Sequence, residues 1–194
     1  GEAMDEARAR LASWLGVAHD WVSLGPSTTQ NTYVLSQAFG EWLTAGDIIV
    51  VTNQDHESNS GPWRRLANRG IEVREWSVDQ RTGRLEESGL KALLCDRVKL
   101  VAFPHCSNII GEINPAADWV EIIHAEGALA CVDGVSFAPH GLPNIPSLGA
   151  DIYLFSTYKT FGPHQGVMVI DPALVHQLPN QGHEFNGDSA VKRL

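Results

Sequence analysis

The chain has 194 residues, of which 43% are hydrophobic and 19% are charged, an ordinary composition for a globular protein with one core. Its formal net charge of −9 argues against the basic face that nucleic-acid binding needs and against an anionic membrane surface. No apolar run reaches the roughly 18 residues of a membrane-spanning helix, and no signal-peptide pattern is visible. We therefore expect neither a nucleic-acid partner nor membrane association.

The hydrophobic pattern predicts alternating strands and helices along the chain. The predicted strands cover residues 21–24, 47–52, 71–78, 99–103, 128–132, 152–155 and 167–170. The predicted helices cover residues 2–15, a segment that follows a turn at 25–31 and runs to 39, about 62–70, 86–94, 118–126 and 172–178. Residues 180–194 are polar and are expected to be irregular.

This alternation predicts an α/β fold, a mostly parallel sheet with helices on both faces. The right-handed crossover rule would then bring every strand's carboxyl end to one edge of the sheet. Polar groups that follow five of the strands are expected to converge there: Thr28 and Thr29, His56, Asn108, Asp133, and residues 156–159.

An acid and a lysine stand out among these groups. Asp133 follows the run 128–132, and Lys159 follows the run 152–155. Ligands of open α/β sheets bind at the strands' carboxyl ends, so the two side chains should lie side by side. Pyridoxal phosphate (PLP) needs such a pair, because a lysine forms its Schiff base and a carboxylate keeps its ring nitrogen protonated. The alternatives are a surface lysine, and an aspartate that caps a turn with Gly134.

The same stretch resembles the class V aminotransferase family, which has PLP fold type I and includes the cysteine desulfurases. The family pattern reads D-x-x-Q/S, G-A-D and S-x-H-K-x-x-G-P. The matching residues are Asp133, Gly149-Ala150-Asp151, Ser156-Thr157-Tyr158-Lys159 and Gly162-Pro163. The resemblance runs from about Glu2 to Leu194, and the tail at 180–186 and 192–194 is similar to a desulfurase-like subgroup.

The resemblance implies a role for each candidate residue. Lys159 would form the Schiff base, Asp133 would pair with the pyridine nitrogen, and the His56 ring would stack on the cofactor. The implied cofactor-binding set is Ser27, Thr28, Thr29, His56, Asn108, Asp133, Ser136, Ser156, Tyr158 and Lys159. The simpler alternatives are a helix N-cap for Ser27 to Thr29 and for His56, a turn residue for Asn108, and a strand-end hydroxyl for Ser156.

Two positions depart from the desulfurase pattern. Ser136 stands where desulfurases carry Gln, and Tyr158 stands where they usually carry His. The three cysteines, Cys95, Cys106 and Cys131, form no C-x-x-C pair, so we expect no metal, no disulfide framework and a reduced cytoplasmic setting. Cys131 is predicted to be a core residue, and we assign neither Cys106 nor Cys131 as a desulfurase nucleophile.

Residues 1–194 are accordingly expected to form the PLP-binding large domain, as a fragment without the N-terminal arm and the C-terminal small domain that the family implies. The expected activity is that of a PLP-dependent transferase or lyase of the aminotransferase or cysteine desulfurase-like type. It would act on an amino acid in a homodimer. The alternatives are a non-catalytic domain of the same fold, an inactive fragment, and a nucleotide-binding domain. The last is disfavoured because no G-x-G-x-x-G or P-loop motif occurs.

Overall fold

The computed structural model of the protein describes residues 2–183 and 189–194. In this part of the chain, the strands are β1 (Val22–Gly25), β2 (Ile48–Thr52), β3 (Glu72–Trp76), β4 (Val98–Pro104), β5 (Leu129–Asp133), β6 (Ile152–Ser156) and β7 (Gly166–Ile170). The α-helices are α1 (Glu2–Leu15), α2 (Thr28–Trp42), α3 (Glu57–Arg64), α4 (Glu87–Leu93), α5 (Ala116–Ala125), α6 (Ile145–Leu148) and α7 (Pro172–Gln177). None of these helices is long and apolar enough to cross a membrane.

The strands form one sheet in the order β1-β7-β6-β5-β4-β2-β3. The pairs β2–β3, β2–β4, β4–β5 and β5–β6 are parallel, so the predicted mostly parallel α/β sheet is confirmed. The prediction that every strand ends at the same edge is wrong for β7, which runs antiparallel to both β6 and β1. Residues 157–165 are too few for the crossover of about a dozen residues that a parallel pair needs.

Helices cover both faces of the sheet, as predicted. Successive strand residues point to opposite faces, so Val50 packs in one core and Val51 in the other. The first core joins the sheet to α1, α4, α5 and α6, and the second joins it to α2, α3 and α7. The molecule therefore has three layers, and the sheet between them is buried except at its edge strands, of which β3 is the more exposed.

Two predicted segments differ from the structure. The helix expected from about Pro62 begins five residues earlier, at Glu57, because the His56 side chain caps its amino end, and Pro62 lies inside it. The predicted stop at Gly70 is confirmed: residues Arg65–Arg69 form a 3₁₀ turn that ends at this glycine, whose φ is 83°. In the tail that was expected to be irregular, Ala190–Lys192 form a 3₁₀ turn, and residues 184–188 lie outside the described part.

Candidate active site

A cavity of about 300 Å³ lies at the edge of the sheet where β1, β2, β4, β5 and β6 end. The structure brings all ten predicted cofactor-site residues into its wall: Ser27, Thr28, Thr29, His56, Asn108, Asp133, Ser136, Ser156, Tyr158 and Lys159. Its wall also contains five residues that the sequence does not single out as site residues: Asp55, Ser58, Cys106, Val135 and His164. Groups that are far apart in the chain therefore share one space.

Four hydroxyl residues, Ser27, Thr28, Thr29 and Ser156, form what we call the hydroxyl cluster. Ser27 caps α2, accepting a hydrogen bond from the N–H of Gln30 at 3.1 Å. Thr28 Oγ1 lies 2.7 Å from Ser156 Oγ, and both residues are buried. This pair has two hydroxyl hydrogens and one hydrogen bond, so one O–H has no acceptor within the described residues. A free buried donor beside the amino end of a long helix suits an anion.

Asp133 is the last residue of β5 and is only 4% exposed. Its Oδ1 accepts a hydrogen bond from the N–H of Val135 at 2.7 Å. Burial raises the pKa of Asp133, while the Val135 bond and the charges of His56 and Lys159 act in the opposite direction. Asp133 therefore does both things that the sequence allows: its Oδ1 accepts the hydrogen bond of the following turn, and its carboxyl group lines the cavity.

Asp55 forms a carboxyl pair with Asp133. Its Oδ1 accepts from the His56 N–H at 2.8 Å, and its Oδ2 accepts from the Asn59 side chain. Burial, and after it the charge of Asp133, raise the pKa of Asp55 well above its ordinary value. Burial raises the pKa of both carboxyl groups, and the two groups are close enough for each to influence the other. The place of Asp55 three residues after the end of β2, beside His56, was the available signal in the sequence.

Lys159 lies in the 3₁₀ turn Thr157–Thr160, which directly follows β6. Its Nζ atom lies 6.0 Å from the centroid of the Tyr158 ring, and the side chain is exposed to the cavity. The turn ends at Phe161, which has a left-handed backbone (φ 64°) and a fully exposed side chain. The lysine thus stands on a short hydrogen-bonded turn between two strands of the sheet.

His56 caps α3 with its own ring. Its Nδ1 accepts a hydrogen bond from the N–H of Ser58 at 3.1 Å and lies 2.7 Å from the Ser58 hydroxyl. Since Nδ1 is an acceptor toward the backbone, the neutral ring carries its hydrogen on Nε2. The helix-cap alternative is therefore seen in the structure, and the same ring also lines the cavity.

Asn108 and Ser136 stand on loops that follow β4 and β5. The neighbouring Ser107 organises the first loop by accepting from the N–H groups of Ile109 and Ile110 at 3.3 and 3.4 Å. Across the described chain, neither the Asn108 amide nor the Ser136 hydroxyl has a hydrogen-bonding partner. Both groups are free to contact a bound molecule.

Tyr158 and His164 form a stacked pair at the rim of the cavity. Their ring centroids are 4.9 Å apart and their planes differ by 4°. Tyr158 was predicted as a cofactor-binding residue, whereas His164 was not, although it directly follows the Gly162-Pro163 pair. The sequence could not show that the turn folds back to place this imidazole on Tyr158.

The cysteines near the cavity are poor nucleophiles as placed. Cys106 lines the cavity but is 7% exposed, and burial followed by the charge of Glu112 raises its pKa. Cys131 lies in β5 with no exposed surface, and burial raises its pKa well above the ordinary value. Its predicted place in the core is confirmed. A raised pKa keeps a thiol protonated and unreactive.

Comparison with known proteins reveals similarity over nearly the whole chain. A family model described as aminotransferase class-V matches residues 1–187. The chain is 38% identical over 190 residues to the aminotransferase-like protein FGM3 of Gibberella zeae, covering 96% of this chain and 47% of that protein. It is 33% identical over 182 residues to a cysteine desulfurase of Yersinia pestis (strain Pestoides F), covering 92% of this chain and 45% of that enzyme.

A solved structure agrees with this similarity. The cysteine desulfurase CsdA from Escherichia coli has a TM-score of 0.85 and 26% sequence identity, covering 92% of this chain and 46% of that chain. The chain therefore spans about half the length of the curated relatives that it matches.

Proposed function

Because this chain belongs to the class V aminotransferase family, we propose that it binds PLP and takes part in chemistry on an amino acid. Its three-layer sheet is that of PLP fold type I. We propose that residues 1–194 form the PLP-binding large domain. The single observation that supports the proposal best is the shared cavity, which combines a lysine, a carboxyl pair and a hydroxyl cluster.

The residues of the cavity fit the cofactor. When bound, PLP supplies an electron-withdrawing ring that stabilises negative charge on the α-carbon of an attached amino acid. Lys159 would hold its aldehyde as a Schiff base, Asp133 would face its ring nitrogen, and the hydroxyl cluster would hold its phosphate. The free hydroxyl hydrogen of the Thr28–Ser156 pair is the buried donor that such an anion would satisfy.

The carboxyl pair would set the charge at the ring nitrogen. Burial raises the pKa of both acids, so we propose that the pair keeps one proton, on Asp55, and that its one negative charge balances one pyridinium proton. A carboxylate buried in this way holds that proton better than a solvated one, because water does not screen the attraction. Asp133 would thus anchor the ring, and Asp55 would hold Asp133 in its ionised form.

The remaining predicted residues would orient the ring. We propose that the His56 imidazole stacks on one face, where its Nε2–H is free because Nδ1 is engaged by Ser58. Asn108 and Ser136, whose polar groups have no partner in the described chain, would bond the phenolic oxygen. Lys159 would also be the general base that moves the α-proton of the amino acid.

The reaction type within the family is a narrower proposal. The relatives include both an aminotransferase-like protein and cysteine desulfurases. The buried thiols of Cys106 and Cys131 do not suit a mobile, low-pKa nucleophile, so we propose that neither serves as one. Together with Tyr158 and Ser136, which depart from the desulfurase pattern, this favours chemistry in which no cysteine of this chain attacks the substrate.

We propose that the active form is a homodimer with the cavity close to the interface. Phe161, fully exposed, is two residues from Lys159, and Ile109, 80% exposed, directly follows Asn108. Large apolar side chains beside a ligand site are suited to cover by another subunit. The three cysteines are unpaired, which is consistent with a reducing compartment, and we propose the cytoplasm.

The direct test is to titrate the purified chain with PLP and to record its visible absorbance. We expect the band of a PLP–lysine imine, its loss on borohydride reduction, and a reduced PLP adduct on Lys159 in a peptide map. Lys159→Ala should lose the band and the adduct, whereas Lys91→Ala, a surface control on α4, should keep both. Identical spectra for Lys159→Ala and the wild type would refute the proposal. No PLP binding by the wild type would favour a domain that retains only the fold.

A further inference from the structure

His164 is held on two sides in the cavity wall. Its Nδ1 atom lies 3.2 Å from the carbonyl oxygen of Pro26, and its ring is stacked on Tyr158. Pro26 directly precedes the hydroxyl cluster in the chain, so the imidazole lies beside the residues proposed to hold the cofactor's phosphate.

The backbone that follows His164 is packed against the same place. A Cβ atom on Gly166 would overlap backbone atoms of Ser27 and Thr28, so β7 begins in direct contact with the start of α2. The carbonyl of Gln165 accepts from the Thr157 N–H at 2.9 Å and from the Thr157 hydroxyl at 3.3 Å. Two neighbouring residues therefore fix the position of His164 relative to the hydroxyl cluster.

The hydrogen bond to Pro26 determines what the ring can offer. A carbonyl oxygen only accepts, so Nδ1 carries a hydrogen and Nε2 is the atom left for a ligand. A second proton on Nε2 turns the ring into a cation with a free N–H donor, and a neighbouring dianion favours that form.

The cavity has few cationic side chains from which to choose. Those in its wall are Lys159, His56 and His164. Under the proposed function, Lys159 is committed to the cofactor's aldehyde, and the Nδ1 atom of His56 is engaged at the start of α3. The hydroxyl cluster contributes neutral donors only. His164 is the remaining group that can place a positive charge beside the phosphate.

We propose that His164 is a phosphate-binding residue of the cofactor site, with Tyr158 as the platform that orients its ring. This inference rests on the proposed function, since it assumes that the phosphate of PLP lies at the hydroxyl cluster.

The test compares PLP with pyridoxal, which lacks the phosphate, in equilibrium titrations followed by absorbance and by ³¹P NMR. For His164→Gln we expect PLP affinity to fall about tenfold or more, as for loss of a hydrogen bond to a charged group. Pyridoxal affinity should stay within about twofold of wild type, and the ³¹P shift of bound PLP should change. His164→Lys should recover part of the affinity, because it returns a cation. His176→Gln, an exposed histidine on α7, is the matched control.

Each outcome decides one of the two proposals. Equal PLP affinity for His164→Gln and wild type, or equal losses for PLP and pyridoxal, would overturn the role of His164 and leave the proposed function standing. If the wild type binds no PLP, inorganic phosphate serves as the probe on the same variants by ³¹P line broadening. If the wild type binds neither ligand, both proposals fail. Melting curves show whether each variant is folded, and Tyr158→Ala, which removes the platform, should lower PLP affinity.

Discussion

The hydroxyl of Thr28 lies 2.7 Å from the hydroxyl of Ser156, although the two residues are 128 positions apart in the chain. The bond links the first turn of α2 to the last residue of β6, and it lies in the cavity wall. It therefore joins the fold to the ligand site, and its removal should affect both.

Thr28→Val keeps the shape of the side chain and removes its hydroxyl. We expect the unfolding free energy to fall by about 1 kcal/mol, because the buried Ser156 hydroxyl loses its partner. PLP affinity should fall about tenfold or more through the lost phosphate donor. Urea melts and PLP titrations measure the two effects. Thr32→Val is the matched control: its hydroxyl donates to the Thr28 carbonyl, away from the cavity, so it should alter stability alone. Equal affinity losses in both variants would contradict a ligand role for Thr28.

In the absence of cofactor, Asp55→Asn should be more stable than the wild type, and the difference should grow as pH rises. The pKa of Asp55 is raised in the folded state, so the folded protein binds more protons than the unfolded chain between the unfolded and folded pKa values. Stability is therefore lost as pH rises through that window, and Asn removes this loss. We expect a melting temperature about 2–4 °C higher for each 1 kcal/mol recovered at neutral pH. Asp96→Asn, at an exposed position, is the control. A lower melting temperature for Asp55→Asn than for the wild type would show that the burial and mutual repulsion of the two carboxyl groups do not destabilise the folded protein.

His105 should make the protein sensitive to acid. It hydrogen-bonds to Tyr153 at 3.0 Å and stacks on Phe137, and burial lowers its pKa to about 4. Between pH of about 6.5 and about 4, His105 is protonated in the unfolded chain but neutral in the folded state. The unfolding free energy therefore falls as pH drops through this range, by up to about 3 kcal/mol.

His105→Gln removes this group, so the unfolded chain no longer takes up one more proton than the folded state in that window. The unfolding free energy of the variant should therefore depend less steeply on pH than that of the wild type. Urea melts at a series of pH values measure it, with His176→Gln as control. Asp55 and Asp133 act with the opposite sign in an overlapping range, so the comparison is between variant and wild type. Parallel curves for the two proteins would contradict a neutral, buried His105.

Alkylation by iodoacetamide at neutral pH should distinguish the three thiols. Cys95 is half-buried and should react first, Cys131 should react only after unfolding, and Cys106 should react slowly because its thiol is buried and protonated. Bound PLP should slow Cys106 further and leave Cys95 unchanged, since only Cys106 lines the cavity. Mass spectrometry of labelled peptides measures each rate. Faster labelling of Cys106 than of Cys95 would return it to consideration as a nucleophile.

The sequence was a good guide to the elements and a partial guide to the site. Continuous apolar runs followed by polar residues marked the strands, and so Asp133 and Lys159 could be expected at one edge. Local patterns do not encode pairing direction, which is why the reversal of β7 was missed. Contacts between residues distant in the chain were missed for the same reason. Asp55 follows β2 and Asp133 ends β5, two strands that lie on either side of β4, and His164 reaches Tyr158 only because the chain reverses between them.

The reversal of β7 has a mechanical consequence for Lys159. Ser156 and Gly166 face each other across the ladder, so the loop that carries the lysine is closed at its base by two antiparallel strands, neither of which is at the edge of the sheet. Both stems are strands that are buried along their whole length. Movement of the Lys159 amine then comes mainly from rotation about the bonds of its own side chain, while the backbone that carries it stays in place.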